Sequence, residues 1–273
     1  FSLSVAIRLR KVPDVIITFG AYQVPFVFLL RLIFPRARLI TYQPELFEFD
    51  SGLMTKIFRI SAYRYDLFVD VEPMRLKLRR RFFRNLRKVH SVILPNFAHN
   101  VEVGFGDVKS FRMVYAGVLD SESGLLRMCN EYQIDINNID CYVTKCHDKK
   151  LPMVLNFLKP RDFKTIAKTG YQYGLICYPF TNGVRRSLSN KYCAPSKLFT
   201  YLAFGIVPVH YRHPTLKRFV KAGISTDRPL NSGNAIVLKE TEVRELFEQM
   251  ESQIATATKT IAETISKPAV IDR

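Results

Sequence analysis

The sequence predicts an α/β protein built on two doubly wound, mostly parallel sheets. Three observations carry this. Short apolar runs of strand length alternate with longer amphipathic stretches along most of the chain. Leu175 to Tyr178, bounded by Gly174 and Pro179, is followed by a polar loop, a helical stretch from Pro195 to Gly205 and a second strand-like run, Ile206 to Val209. That strand–loop–helix–strand order is the repeating unit of a parallel sheet. Finally, the rhythm restarts at Phe111 after Asn100 to Ser110, a stretch with two Gly and several polar residues. The restart divides the chain into domains at 1–104 and 105–273.

Taken in order, Phe1 to Arg10 has the pattern of a helix end. Val12 to Gly20 reads as a buried strand entered through the Pro13-Asp14 turn, and Gly20 to Gln23 as the loop at its carboxyl end. Val24 to Phe34 is expected to be a buried helix. It is too short to span a bilayer and is broken by Arg31. Arg38 to Tyr42 is the next strand, and Gln43 to Leu46 its carboxyl-end loop. Leu53 to Tyr65 has helical spacing. Asp66 to Val71 is a strand, Pro73 to Leu86 a helix, and Val89 to Leu94 a strand ending in Pro95-Asn96. In the second domain Phe111 to Leu119 is a strand closed by the Gly117 turn, and Ile139 to Val143 another. Lys168 to Tyr173 leads into the central unit. Glu240 to Ser266 is a long amphipathic helix with Val243, Leu246, Phe247, Met250, Ile254, Ile261 and Ile265 on its apolar side.

Composition narrows the class. The 273 residues suffice for one large or two ordinary domains, and 48% apolar content supplies a real core. A net charge of +17 favours anionic partners. Five Cys without any Cys-x-x-Cys pair argue against a structural zinc site. Several of them lie in apolar runs, as buried reduced thiols do.

Pro195 suits the start of a helix and Gly205 its end. The preceding loop brings Arg185, Arg186 and Lys191 to that helix start, where free amides and nearby cations make an anion site. Lys197, a cation in the first turn, points the same way against the ordinary reading of a solvated lysine. Asn190-Lys191-Tyr192 followed by Ala194-Pro195-Ser196-Lys197-Leu198-Phe199-x-Tyr201-Leu202-Ala203-x-Gly205-x-x-Pro208-Val209 resembles the donor-sugar segment of family 4 glycosyltransferases. That segment reads roughly Pro-x-Lys-Leu-x-Glu-Tyr-Leu-Ala-x-Gly-x-Pro-Val. The chain departs from it at Thr200, where the family has Glu, and at Tyr192, where many members carry a partner Glu. Val118 also stands where the family commonly places an Arg after Gly117.

The resemblance implies a GT-B fold of two Rossmann-like domains. It implies transfer of a sugar, of hexosyltransferase type, from a nucleotide-sugar donor to a glycan or lipid-linked acceptor, with retention, in cell-surface polysaccharide synthesis. By the same resemblance the donor is held by Gly117, Ser121, Arg185, Lys191, Pro195, Ser196, Lys197 and Thr200. No metal or other cofactor is implied, and the long last helix packs back across the interdomain cleft. Glu45, at a strand end facing the cleft in that fold, is the candidate catalytic carboxylate. Its plainer readings are a helix cap or a surface charge. Gly117 to Gly124 is either a diphosphate cradle or an ordinary capped turn.

The family opens with a strand, a glycine loop and a helix, so roughly 80 to 120 further residues are expected upstream of Phe1. Arg75 to Lys88 holds eight basic residues and no acid among Leu and Phe. It suits an anionic membrane surface or a solvated helix face, and no RNA-binding motif accompanies it. The expected location is cytoplasmic, peripheral at the inner face of the plasma membrane. Two alternatives remain open: a non-catalytic GT-B partner or scaffold protein, and a nucleotide-sugar epimerase.

Overall fold

The computed structural model describes residues 13–46, 49, 51–97, 102–107, 110–119, 124–146, 156–158, 163–178, 188, 191–193, 195–211, 213–227 and 236–266. The chain forms two compact units, one running to Asn96 and resuming at Met250, the other Phe97–Gln249.

Unit one is a four-stranded parallel sheet of β1 (Val15–Phe19), β2 (Arg38–Gln43), β3 (Leu67–Asp70) and β4 (His90–Ile93), in that spatial order. The helices α1 (Val27–Ile33), α2 (Gly52–Ser61) and α3 (Pro73–Phe82) make the crossovers. Short 3-10 turns at Ala21–Phe26, Ala62–Arg64 and Arg84–Lys88 flank them. The starts of α2 and α3 have a chemical reason. Ser51 accepts from Met54 N at 3.0 Å to cap α2. Glu72 accepts from Met74 N at 2.6 Å and Arg75 N at 3.1 Å to cap α3, which opens with Pro73. On one sheet face Ile40, Leu67 and Val69 pack with Val15, Tyr42, Val92, Leu94 and Ile261. Elsewhere in the unit, Phe58 of α2 packs on Phe68 of β3 at 6.2 Å between ring centroids and on Phe83 at 4.8 Å.

The first crossover departs from the expected buried helix. It is a 3-10 turn running into α1, and only Ala21, Val24, Val27 and Phe34 are buried. Phe26, Phe28, Leu29 and Leu32 are exposed, Leu32 by 80%. A segment apolar all round reads as buried, but a helix on a sheet buries one stripe, and no described element covers the other.

Unit two is a five-stranded parallel sheet. Its strands are β5 (Ser110–Leu119), β6 (Ile139–Cys146), β7 (Asn156–Leu158), β8 (Tyr171–Ile176) and β9 (Val207–His210), in the order β7-β6-β5-β8-β9. Its helices are α4 (Gly124–Tyr132), α5 (Phe163–Ala167), α6 (Lys197–Ala203) and α7 (Lys217–Lys221). The core gathers Leu125, Met128, Cys129, Ile139, Cys141, Leu175, Cys177 and Val209. Cys129, Cys141, Cys177 and Cys193 are buried thiols that form no disulfide. The last helix, α8 (Glu240–Ser266), has the bounds its periodicity predicts and contributes residues to both units. It buries Val243, Phe247, Met250, Ile254 and Ala257.

Candidate active site

In unit two the strand order runs outward from β5 in both directions, to β6 and β7 on one side and β8 and β9 on the other. A crevice at the carboxyl ends of strands flanking such a reversal is where open α/β sheets bind ligands. Gly117 sits there, at the β5 end, with φ +138° and a register shift against β6 between Gly117 and Val118. A Cβ built on Gly117 would overlap Lys197 Nζ. The missing side chain is therefore the space into which Lys197 reaches from the start of α6. Its ammonium also lies 4.7 Å from the Tyr115 ring centroid, in cation–π range. Burial pushes the Lys197 pKa down, opposed by the nearby thiols Cys177 and Cys193. Partial desolvation of a cation strengthens its attraction for a ligand anion.

The helix behind this lysine is set by close packing. A Cβ on Gly174 would lie 2.6 Å from the Tyr201 ring, so β8 and α6 approach at glycine distance. Tyr201 also donates to Leu175 O at 3.4 Å. α6 begins at Lys197, two residues later than Pro195. Pro195 is buried and Ser196 exposed, and their carbonyls accept the first turn's amides from Leu198 (3.2 Å), Phe199 (3.1 Å) and Thr200 (3.2 Å). Thr200, partly buried, donates its hydroxyl to Ser196 O at 3.3 Å. Lys191 is exposed. Ser121 and Arg185 lie outside the described residues, as do Arg186 and the turn between Leu119 and Gly124.

Sequence reading missed what backs this loop. Cys193 Sγ lies 3.7 Å from His213 Nδ1, and Thr215 donates to Cys193 O at 2.8 Å. Tyr178 meets the His213 ring edge-on at 5.1 Å. His210 and His213 are both buried. Burial pushes the His210 pKa down to about 4. Burial, with His210 as a smaller cause, pushes His213 down to about 3. Both are neutral imidazoles at ordinary pH. Cys193 and His213 are twenty positions apart, a spacing with no local signature.

In unit one Glu45 is exposed just past the carboxyl end of β2. Its loop is held from below by two arginines of the basic tract. Arg75 donates to Pro44 O at 2.6 Å and Gln43 O at 3.4 Å, and Arg79 donates to Glu45 O. Both pair with Asp70, at the carboxyl end of β3, Arg75 Nε at 3.6 Å and Arg79 in direct contact. Asp70 and Arg79 are 0% exposed and Arg75 1%. These two of the tract's cations thus form a buried ion-pair network rather than any surface. The helix turns them onto a carboxylate that the preceding strand supplies. Lys77, Arg81, Arg84, Arg87 and Lys88 remain exposed.

No family model matches the sequence, and no curated protein matches it. The fold is that of GT-B glycosyltransferases, incomplete relative to its neighbours. The chain is similar to the trehalose-6-phosphate structure from E. coli bound with UDP-2-fluoro glucose, with TM-score 0.62 and 11% identity over 96% of this chain and 75% of that one. It is similar to the pneumococcal O-GlcNAc transferase GtfA in complex with UDP and GlcNAc, with TM-score 0.60 and 12% identity over 97% of this chain and 60% of that one. An α,α-trehalose-phosphate synthase (UDP-forming) from Burkholderia vietnamiensis gives TM-score 0.59 and 10% identity over 96% and 73%. Among the described residues no helix is long and apolar enough to cross a membrane.

Proposed function

We propose that the chain is a glycosyltransferase resembling family 4, of hexosyltransferase type. It moves a sugar from a nucleotide-sugar donor to a glycan or lipid-linked acceptor with retention, in cell-surface polysaccharide synthesis. The observation that carries this reading is Lys197 seated against Gly117 at the carboxyl end of the central strand β5. A diphosphate there meets a partly desolvated ammonium, and its charge grows as the glycosidic bond to the sugar breaks. Fixed cations and amides aimed at developing charge are the electrostatic form of catalysis, which needs no metal here. The ligands named with the neighbouring structures, UDP-2-fluoro glucose in one and UDP and GlcNAc in another, make a UDP-sugar the first choice. Gly117, Ser121, Arg185, Lys191, Pro195, Ser196, Lys197 and Thr200 form the donor side, and Glu45 serves the acceptor or reacting sugar. The domains divide at 1–104 and 105–273. The protein works in the cytoplasm, peripheral at the inner face of the plasma membrane, through the exposed cations of Lys77 to Lys88.

A second reading, a GT-B partner protein without catalysis, is favoured by Thr200. Its hydroxyl is turned into the helix where the family carries a carboxylate. Calorimetry with UDP-glucose, UDP-GlcNAc and other nucleotide sugars, paired with a transfer assay, separates the two. The enzyme reading expects both binding and transfer, and it expects Thr200→Glu to tighten binding, since a carboxylate accepts two hydroxyl hydrogen bonds. Binding without transfer supports the partner protein. Absence of binding across the panel sinks both donor assignments.

A further inference from the structure

Arg59, Phe82, Arg84 and Asn85 line a cavity of about 310 Å³ in unit one. Arg59 is in the last turn of α2, Phe82 ends α3, and Arg84 and Asn85 open the 3-10 turn that follows. Both crossover helices leave strand carboxyl ends and return to strand amino ends. The cavity therefore lies at the amino end of the sheet, opposite Gln43 to Glu45. No acidic residue occurs in α2, α3 or Arg84–Lys88. Among the described residues neither Arg59 nor Arg84 has an ion-pair or hydrogen-bond partner. Two guanidinium groups brought to one cavity whose described lining holds no carboxylate repel each other unless an anion joins them. Their fork of N–H donors matches a phosphate group. Beside them apolar surface is open: Phe82 is 46% exposed, and Ile60, next to Arg59 at the end of α2, is 56% exposed. An anion pocket rimmed by exposed aromatic and aliphatic side chains fits a head group whose tails lie in a bilayer.

We propose that this cavity binds the phosphate of a membrane lipid head group, and that unit one docks on anionic bilayers through the amino end of its sheet. The proposal rests on the membrane-facing reading above and places the contact at two residues. Vesicles of phosphatidylcholine, with or without phosphatidic acid, and soluble glycerol 3-phosphate are the probes, used with the full chain. The parent should co-sediment with phosphatidic acid vesicles and not with phosphatidylcholine alone. The variant Arg59→Gln, Arg84→Gln should bind them roughly 30-fold more weakly, the value expected for losing two basic contacts. A control with the same charge loss on unit two, Lys217→Gln, Lys221→Gln, should change binding less than about threefold. Both pairs are solvent-accessible, and circular dichroism checks that each variant is folded. Equal weakening by both pairs overturns the pocket and leaves a diffuse charge effect. Undiminished binding by the Arg59/Arg84 variant also overturns it while the membrane reading stands. Failure of the parent to bind any anionic vesicle removes both. If glycerol 3-phosphate binds as tightly as vesicles and through the same two arginines, the site takes a soluble phosphoester and the lipid assignment falls. Nucleotide-sugar binding, measured on the same variants, stands or falls separately.

Discussion

At the scale of single residues, the candidate donor side turns on Lys197 and what surrounds it. Lys197→Met keeps most of the stem volume and removes a partly buried charge. Losing one charge-assisted contact is worth about 1.5–3 kcal/mol, so nucleotide-sugar affinity should fall by roughly 10- to 150-fold. Unfolding stability should hold or rise slightly, because the desolvation of the ammonium disappears with it. A calorimetric titration with a urea melt reads both quantities, and equal loss in both would make Lys197 a structural residue. Gly117 and Lys197 were individually legible in the sequence as a strand-end glycine and a first-turn cation. Their contact was not, because it joins positions eighty residues apart through the absence of a side chain. The histidines give a pH prediction. The folded pKa values of His210 and His213 are about 4 and about 3. The unfolded value is about 6.5, so the unfolded chain takes up protons first as pH falls. Their contribution to stability is complete above pH 6.5 and is lost as pH drops toward 4. At pH 5 this amounts to about 2 kcal/mol for each. Urea melts at pH 7.5 and pH 5 should show the loss, and a foldable His213→Asn variant should show a smaller one. A parent whose stability is flat over that interval would contradict the burial of both rings.

At the scale of elements, α3 shows where composition misleads. Read as charge, Pro73 to Lys88 is one basic surface. Read as a helix following β3, it must turn a face toward the carboxyl end of that strand, and Asp70 stands there. Charge composition cannot distinguish a cation that meets water from one that meets a carboxylate across a crossover. The register of Asp70 against Arg75 and Arg79 decides it, and register appears only with the fold. The network also holds the Glu45 loop, so its cost of disruption should be large. Asp70→Asn leaves two buried guanidinium groups around a neutral amide and should cost about 3–5 kcal/mol. Adding Arg79→Met to that variant should recover part of the loss, since the uncompensated charge is removed, and a double-mutant cycle measures the coupling. Additive losses would mean that the ion pair contributes nothing beyond its separate side chains.

At the scale of the whole molecule, the two sheets were legible because their longer strands read as near-continuous apolar runs closed by Gly or Pro. The apolar run of β1, however, read as buried, buries only Thr18 and leaves Ile17 and Phe19 exposed. β7 was not legible, since three residues carry no periodicity to detect. The exposed side of α1 was misread for the opposite reason: an apolar sequence gives no sign of how many faces are covered. The last helix joins both lessons. Its apolar stripe predicted its bounds, but only the fold shows that the stripe serves two cores. Val243 and Phe247 belong to unit two, and Met250, Ile254 and Ala257 to unit one, all buried. Ile261 packs against the β2–β3 face. A chain ending at Gln249 should therefore injure the units unequally. Removing Met250, Ile254 and Ile261 at about 1.5–3 kcal/mol per buried apolar side chain takes away roughly 5 kcal/mol or more. That is as much as a whole domain of ordinary stability holds. Hydrogen exchange should then show β1 to β4 losing protection while β5 to β9 keep it. Equal loss in both sheets would mean that the second half of α8 supports the molecule as one cooperative body, and undiminished protection of β1 to β4 would mean that the Ile40, Leu67 and Val69 face does not depend on it.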